Sequence, residues 1–118
     1  MFLLWVSRAE GFTFEYAGVN LEPEGNWKEA LNQLRNAGFS AVRILILRSE
    51  IEKGKKNYNW QPLEEVVEHA RSLGMQIVGV IEGRTGKVEE NAPKEMAVFA
   101  SAVALRFRGG IGYYEISE

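Results

Sequence analysis

The sequence predicts an α/β fold on a parallel sheet of four strands in the order 1-2-3-4. Three observations predict it. Strand and helix patterns alternate along the chain at roughly 30 residues per unit, with no linker and no low-complexity tract. Two of the strands, 41–47 and 75–81, are apolar nearly throughout, as strands covered on both faces are. The segments after strands (21–26, 48–58 and 82–91) are long and polar, whereas those after helices (Gly38-Phe39-Ser40 and Gly74) are very short. Two architectures satisfy this alternation: (βα)3-β, one half of a TIM-type (βα)8 barrel, and an open doubly wound sheet. Elaborate strand-to-helix loops opposite a plain face favour the barrel, where such loops build the site. At 118 residues the chain is one domain, 1–118, too short for a complete barrel of at least ~200 residues.

Each element has its own signal. Residues 13–20 (Thr-Phe-Glu-Tyr-Ala-Gly-Val-Asn) are rich in aromatic and β-branched types and read as the first strand. Asn26 with Glu29 three residues on is a capping-box start, and Ala30, Leu31, Leu34 and Ala37 recur at helical spacing before Gly38. The second strand is 41–47 (Ala-Val-Arg-Ile-Leu-Ile-Leu). Residues 48–59 are polar and lysine-rich, the composition of a solvated loop. Asn59 is the expected cap of a second helix, with Pro62 in its first turn and Leu63, Val66, Val67 and Ala70 on one face; Gly74 closes it. The third strand, 75–81, follows at once. A third helix spans about Asn91 to Arg106 and carries Met96, Val98, Phe99, Ala102, Val103 and Leu105. Gly109-Gly110 ends it, and a last strand covers 111–117. The N-terminal segment 1–12, with its run Phe2-Leu3-Leu4-Trp5-Val6, is expected to pack on or extend the sheet. It is too short for a signal-peptide core and lacks a basic region before it.

Composition excludes several chemistries. Fourteen Lys and Arg face sixteen acids, a formal charge of −2, so there is no basic excess for nucleic acid. There is no cysteine for a disulfide, a thiolate metal site or a nucleophile. Every acid is Glu, which removes Asp-based triads and calcium loops. One histidine, His69, cannot by itself make a His-based zinc site. No run reaches the ~20 apolar residues that a membrane span needs. Neither a cofactor nor a metal is called for, and the cytoplasm is the expected location. The Asp-free, Cys-free composition points towards a hot-living source, while seven Asn point away from one. Gly83-Arg84-Thr85-Gly86-Lys87 lacks the spacing of a phosphate loop and reads as a turn.

Several stretches together resemble a known group. They are Gly18-Val19-Asn20, the run Ala37-Gly38-Phe39-Ser40-Ala41-Val42-Arg43-Ile44, the helix opening Trp60-Gln61-Pro62-Leu63-Glu64-Glu65-Val66-Val67-Glu68-His69-Ala70, Leu73 through Ile81, and Tyr113-Tyr114-Glu115-Ile116-Ser117-Glu118. In order and spacing they are similar to the first four strands of cellulase-like and β-mannanase-like glycoside hydrolases, a large clan of retaining (βα)8 enzymes. The similarity covers about residues 13–118 and half of that barrel. It implies that Arg43 is the second-strand arginine that hydrogen-bonds active-site carboxylates, and that Asn20 lies near the sugar. The family's fourth strand ends Y-E-I-W-N-E-P, with its second Glu the general acid/base. In the ungapped register Glu118 falls on the family's Asn; a one-residue gap makes Glu118 the acid. Glu82 stands where the family often has a His, and the family's nucleophile strand, the seventh, has no counterpart here.

Glycoside hydrolysis needs two carboxyl groups flanking the scissile bond, ~5–5.5 Å apart for retention and ~6.5–9.5 Å for inversion. Candidates at the strand C-termini are Glu22, Glu24, Glu50, Glu82 and Glu118. Alternation puts Arg43, Leu45 and Leu47 on one face of their strand, and Gln76, Val78, Val80 and Glu82 on one face of theirs. If Arg43 points inward, Glu82 is the acid best placed by parity, with Arg43 holding its charge. Trp27, Tyr58 and Trp60 can stack on sugar rings but equally suit helix-start packing, and Trp60 is the substrate-binding candidate. The expected inner face (Leu45, Leu47, Val78, Val80, Tyr114 and Ile116) is apolar and needs a cover. A homodimer is therefore expected, or a separate chain completing the barrel, with a carbohydrate as ligand. The functional expectation is a half-barrel without a complete two-carboxylate site in one chain; the alternative is a non-catalytic carbohydrate- or protein-binding module of the same fold.

Overall fold

The computed structural model describes residues 3–8, 15–21, 26–83 and 92–117. Along the chain it has β1 (Leu3–Arg8), β2 (Glu15–Leu21), α1 (Trp27–Asn36), β3 (Ala41–Leu47), the single turn α2 (Arg48–Ile51), a small hairpin of β4 (Glu52–Gly54) and β5 (Asn57–Tyr58), α3 (Gln61–Ser72), β6 (Gln76–Glu82), α4 (Ala92–Arg106) and β7 (Tyr113–Ser117).

Two helices end the same way, and this sets where the strands start. At the end of α1, the Phe39 amide donates to the Leu34 carbonyl and that of Gly38 to Arg35; at the end of α3, Met75 and Gly74 do the same to Ala70 and Arg71. Gly38 and Gly74 have φ of +100° and +72°, a region that costs a residue with a Cβ but not glycine. Each helix is thus reversed within a few residues into a strand. The Gln76 amide, bonded to the Ser40 carbonyl at 2.8 Å, aligns the starts of β3 and β6.

The main sheet has the order β1-β2-β3-β6-β7. Its last four strands are parallel and lie in chain order, as expected of half a barrel, and not in the 2-1-3-4 order of a doubly wound sheet. β1 joins the outer margin antiparallel to β2, from Leu3 opposite Asn20 to Arg8 opposite Glu15. The strand limits differ from the expected ones by no more than two residues.

The core lies between this sheet and the helices. Val42, Ile44, Ile46, Ile77 and Ile81 meet Leu31 of α1, Leu63, Val66 and Ala70 of α3, and Phe99 and Val103 of α4. Tyr58, Trp60, Phe99 and Phe107 form an aromatic cluster inside this layer, with Trp60 stacked on Phe99 at 6.4 Å and edge-on to Phe107 at 5.8 Å. The last turn of α4 is tied to the first turn of α3, where Arg106 Nε donates to Glu64 at 2.6 Å. His69 sits between α1 and α3: its Nε2 shares a hydrogen bond with Asn32 Oδ1 at 2.8 Å, and its ring meets Trp27 edge-on.

Three local expectations are corrected. Asn26 does precede α1, but its side chain makes no capping bond, so the capping box is not formed. The cap of α3 is Trp60 rather than Asn59; the Asn59 amide is bonded instead to the Ile51 carbonyl at 2.8 Å, which closes the hairpin. The stretch 48–59 is not merely a solvated loop. Arg48 and Ile51 are buried, at 5% and 7% exposure, and the hairpin packs Tyr58 onto the core. Lysines at 53, 55 and 56 give this stretch its polar composition and are exposed, while the two residues that anchor it are single side chains among them.

Candidate functional site

The sheet has a second face, away from the helices, and its residues follow from register. Arg43 lies opposite Val78, Leu45 opposite Val80, and Leu47 opposite Glu82; one strand further, Val78, Val80 and Glu82 lie opposite Tyr113, Glu115 and Ser117. Because alternate residues share a face, these nine side chains form one wall. Val78 and Val80 are buried, at 5% and 6%, yet stand outside the helix-side core. Arg43 reaches across them. Its Nη2 is hydrogen-bonded and ion-paired to Glu115 Oε2, so the pair crosses β6 above the two valines. The Arg43 side chain is 23% exposed and that of Glu115 52%, which leaves the pair open to solvent on one side.

Arg43 thus meets the carboxylate of Glu115, two strands away, a residue that parity on β3 and β6 alone does not reveal. The expected inner face is also corrected in its last strand. Tyr114 and Ile116 lie on the helix side: the Tyr114 ring packs against the core, 3.1 Å from where a Cβ on Gly79 would stand. Gly79 leaves the space that this ring fills, and a residue without a side chain in the middle of an apolar strand is the sequence signal that marks the register. The Tyr114 hydroxyl is buried with no hydrogen-bond partner among the described residues, and burial pushes its pKa up.

At the C-terminal end of the sheet, Arg48 gathers three segments. Its Nε donates to Glu52 at 2.5 Å, its Nη1 to the Gly83 carbonyl at 3.3 Å, and its Nη2 lies 4.0 Å from Glu95 at the start of α4. The guanidinium thus holds the backbone directly after Glu82, which fixes where β6 delivers that carboxylate. Tyr58, beside this cluster, has its pKa raised, first by burial and then by the Glu52 carboxylate.

Of the sequence-derived candidates, Arg43 and Glu82 are brought to one face. Asn20 is paired in register with Arg43 on the neighbouring strand. Trp60 is not brought to this face, because it is stacked on Phe99 within the helical layer. Glu50 is exposed on α2. Glu118, Glu22 and Glu24 lie outside the described residues. Among the described residues, no cluster of three or more His or Glu is arranged to hold a metal ion, and no helix is long and apolar enough to cross a membrane.

Comparison with known proteins gives a fold and no close relative. No family model matches the chain, and no curated protein matches it. Solved structures do. A family 39 glycoside hydrolase from the gut symbiont Bacteroides cellulosilyticus superposes with a TM-score of 0.74 at 15% identity, over 86% of this chain and 24% of that one. An endocellulase from Pyrococcus horikoshii, solved as an E342A–cellotetraose complex, gives 0.68 at 16% identity, over 89% and 38%. A β-galactosidase from the haloarchaeon Halorubrum lacusprofundi gives 0.65 at 15% identity, over 84% and 20%. The chain thus has the fold of part of a glycoside-hydrolase TIM barrel, and it spans less than two-fifths of the length of these matched structures.

Proposed function

We infer that this chain is a glycoside-hydrolase-related half-barrel that binds a carbohydrate on the wall carrying Arg43, Glu82 and Glu115, and that any hydrolysis requires a second chain. The observation that carries this reading is the position of its acids. Glu82 and Glu115 stand on adjacent strands of one wall, whereas glycosidic cleavage needs carboxyl groups on opposite sides of the scissile bond. The opposing carboxylate must come from a facing wall, supplied by a second copy or by a separate chain. The apolar part of the same face, Leu45 and Leu47 with Val78 and Val80 beneath, supports such a cover.

The assignment of roles follows. Glu82 is the acid offered at the mouth of the wall, and Glu118 is the acid at the end of the fourth parallel strand. Arg43 orients Glu115 on this wall. Asn20, in register with Arg43 on the neighbouring strand, is the further sugar-binding candidate. Trp60 serves packing.

The test is hydrolysis of aryl β-glycosides, with cellotetraose binding measured by calorimetry, on wild type and on Glu82→Gln and Glu118→Gln. Binding that Glu82→Gln weakens, without turnover by the isolated monomer, is the expected result. Turnover by a monomer, lost in either variant, would overturn the need for a second chain, and failure to bind any oligosaccharide would overturn the carbohydrate reading. The engagement of Glu115 by Arg43 favours one second reading, a non-catalytic binding module. Binding without turnover even in an assembled complex would establish it.

A further inference from the structure

A cavity of about 330 Å³ lies at the N-terminal end of β6 and β7, between the end of α3 and the turn after α4. Six residues of extended chain, about 20 Å, separate Gln76 at its rim from Glu82 at the far end of β6. Four glycines border the cavity, and the fold accounts for three of them. Gly74 and Gly109 have φ of +72° and +82°. A Cβ on Gly110 would stand 3.3 Å from Val67 Cγ1 and 3.6 Å from Arg71 Cδ. Gly112 has neither reason to be glycine. It lies outside the left-handed region, and a Cβ there would meet nothing within 4 Å. The effect of its missing side chain is to leave the cavity open.

Three polar side chains stand around that opening: Arg71, Gln76 and Tyr113. None of them has a hydrogen bond or ion pair among the described residues. The Arg71 stem lies against Gly110, and Tyr113 is 62% exposed.

We propose that this cavity binds a small organic oxyanion, a carboxylate or a phosphate monoester, with the anionic group on Arg71 and the body of the molecule over Gly112. The guanidinium fork matches either head group with two parallel hydrogen bonds. The Gln76 amide and the Tyr113 hydroxyl are left for hydroxyl groups of the same molecule. The volume is at the small end of the ~300–1,000 Å³ of ligand pockets, which suits a single-ring molecule rather than a polymer. The proposal does not depend on the carbohydrate reading of the wall.

Glucuronate, glucose 6-phosphate and neutral glucose, titrated into the intact chain, test it, with the amide signals of Gly74, Gly109 and Gly112 followed by NMR. At least one of the two anions should give saturable shifts at these amides, and glucose should give none; the tighter anion identifies the head group. Arg71→Gln, at an exposed position, should weaken binding at least about tenfold. Arg108→Gln makes the same charge change outside the lining and should leave the affinity as it is. Gly112→Leu should abolish binding by filling the cavity; if a thermal melt shows that this variant has lost its fold, Arg71→Gln decides alone. Saturation by neither anion, equal shifts with glucose, or equal losses in Arg71→Gln and Arg108→Gln would each overturn the proposal.

Discussion

On the helix side of β3 and β6, Val42, Ile44, Ile46, Ile77 and Ile81 are at most 2% exposed and meet three helices. On the other side, the same two strands place Arg43, Leu45, Leu47 and Glu82, all partly exposed, around Val78 and Val80. One face is closed by its own chain. Among the described residues, the other is crossed by an ion pair laid over β6. The difference teaches where the molecule's stability is held and where its chemistry is available. A charge on the first face would be unpaired and costly, whereas on the second it has both a partner and water.

The largest expected contrast is in packing. Phe99→Ala should destabilise the chain by about 3–5 kcal/mol in urea unfolding, while Leu45→Ala on the open face should cost under about 1.5 kcal/mol. Equal losses would mean that the second face is closed as tightly as the first. Next is Arg48→Ala, which leaves Glu52 facing the core edge without its cation; about 3 kcal/mol is expected by the same measurement. Smaller still is the open-face pair. A double-mutant cycle on Arg43→Met and Glu115→Gln should give a coupling of about 1 kcal/mol or less in the monomer. If that coupling rises when a second chain is added, the wall has been desolvated by its cover.

The last contrast is with pH. The folded-state pKa values of Tyr58 and Tyr114 lie above the unfolded value of 10.0. Burial favours the neutral phenols, so their contribution is fully present below pH 10 and is lost as pH rises through the folded values. Phenolate absorbance should show two late-titrating tyrosines, and the melting temperature should fall over the same interval. Titration of Tyr58 and Tyr114 at their unfolded value of 10.0 would contradict the burial of these two.

The layout of the fold is legible in the sequence because its signals are strong and redundant. Apolar runs at 41–47 and 75–81 can only be buried strands, and Gly38 and Gly74 stand where a helix must reverse within a few residues. What is not legible depends on facing. Tyr113-Tyr114-Glu115-Ile116-Ser117 reads equally well in either parity, and the decision comes from Gly79 on the neighbouring strand, which makes room for the Tyr114 ring beside Ile46. Arg43 announces a site because an arginine in an apolar strand needs a partner, but the partner is chosen by three-strand register. Arg48 is hidden for the opposite reason. It stands at the head of a lysine-rich stretch, and nothing in composition separates the one cation that is buried from those that are solvated.

A strand has two margins along which it can bond, and both margins of β2 are occupied: β3 takes residues 18–21 and β1 takes residues 15–20. Any newcomer seeking to seal the sheet into a ring at that seam must first evict the N-terminal ribbon. Growth on that side must therefore bond to the outer margin of β1 instead, and trimming residues 1–8 is the manipulation that would free β2 to meet the sheet's own tail.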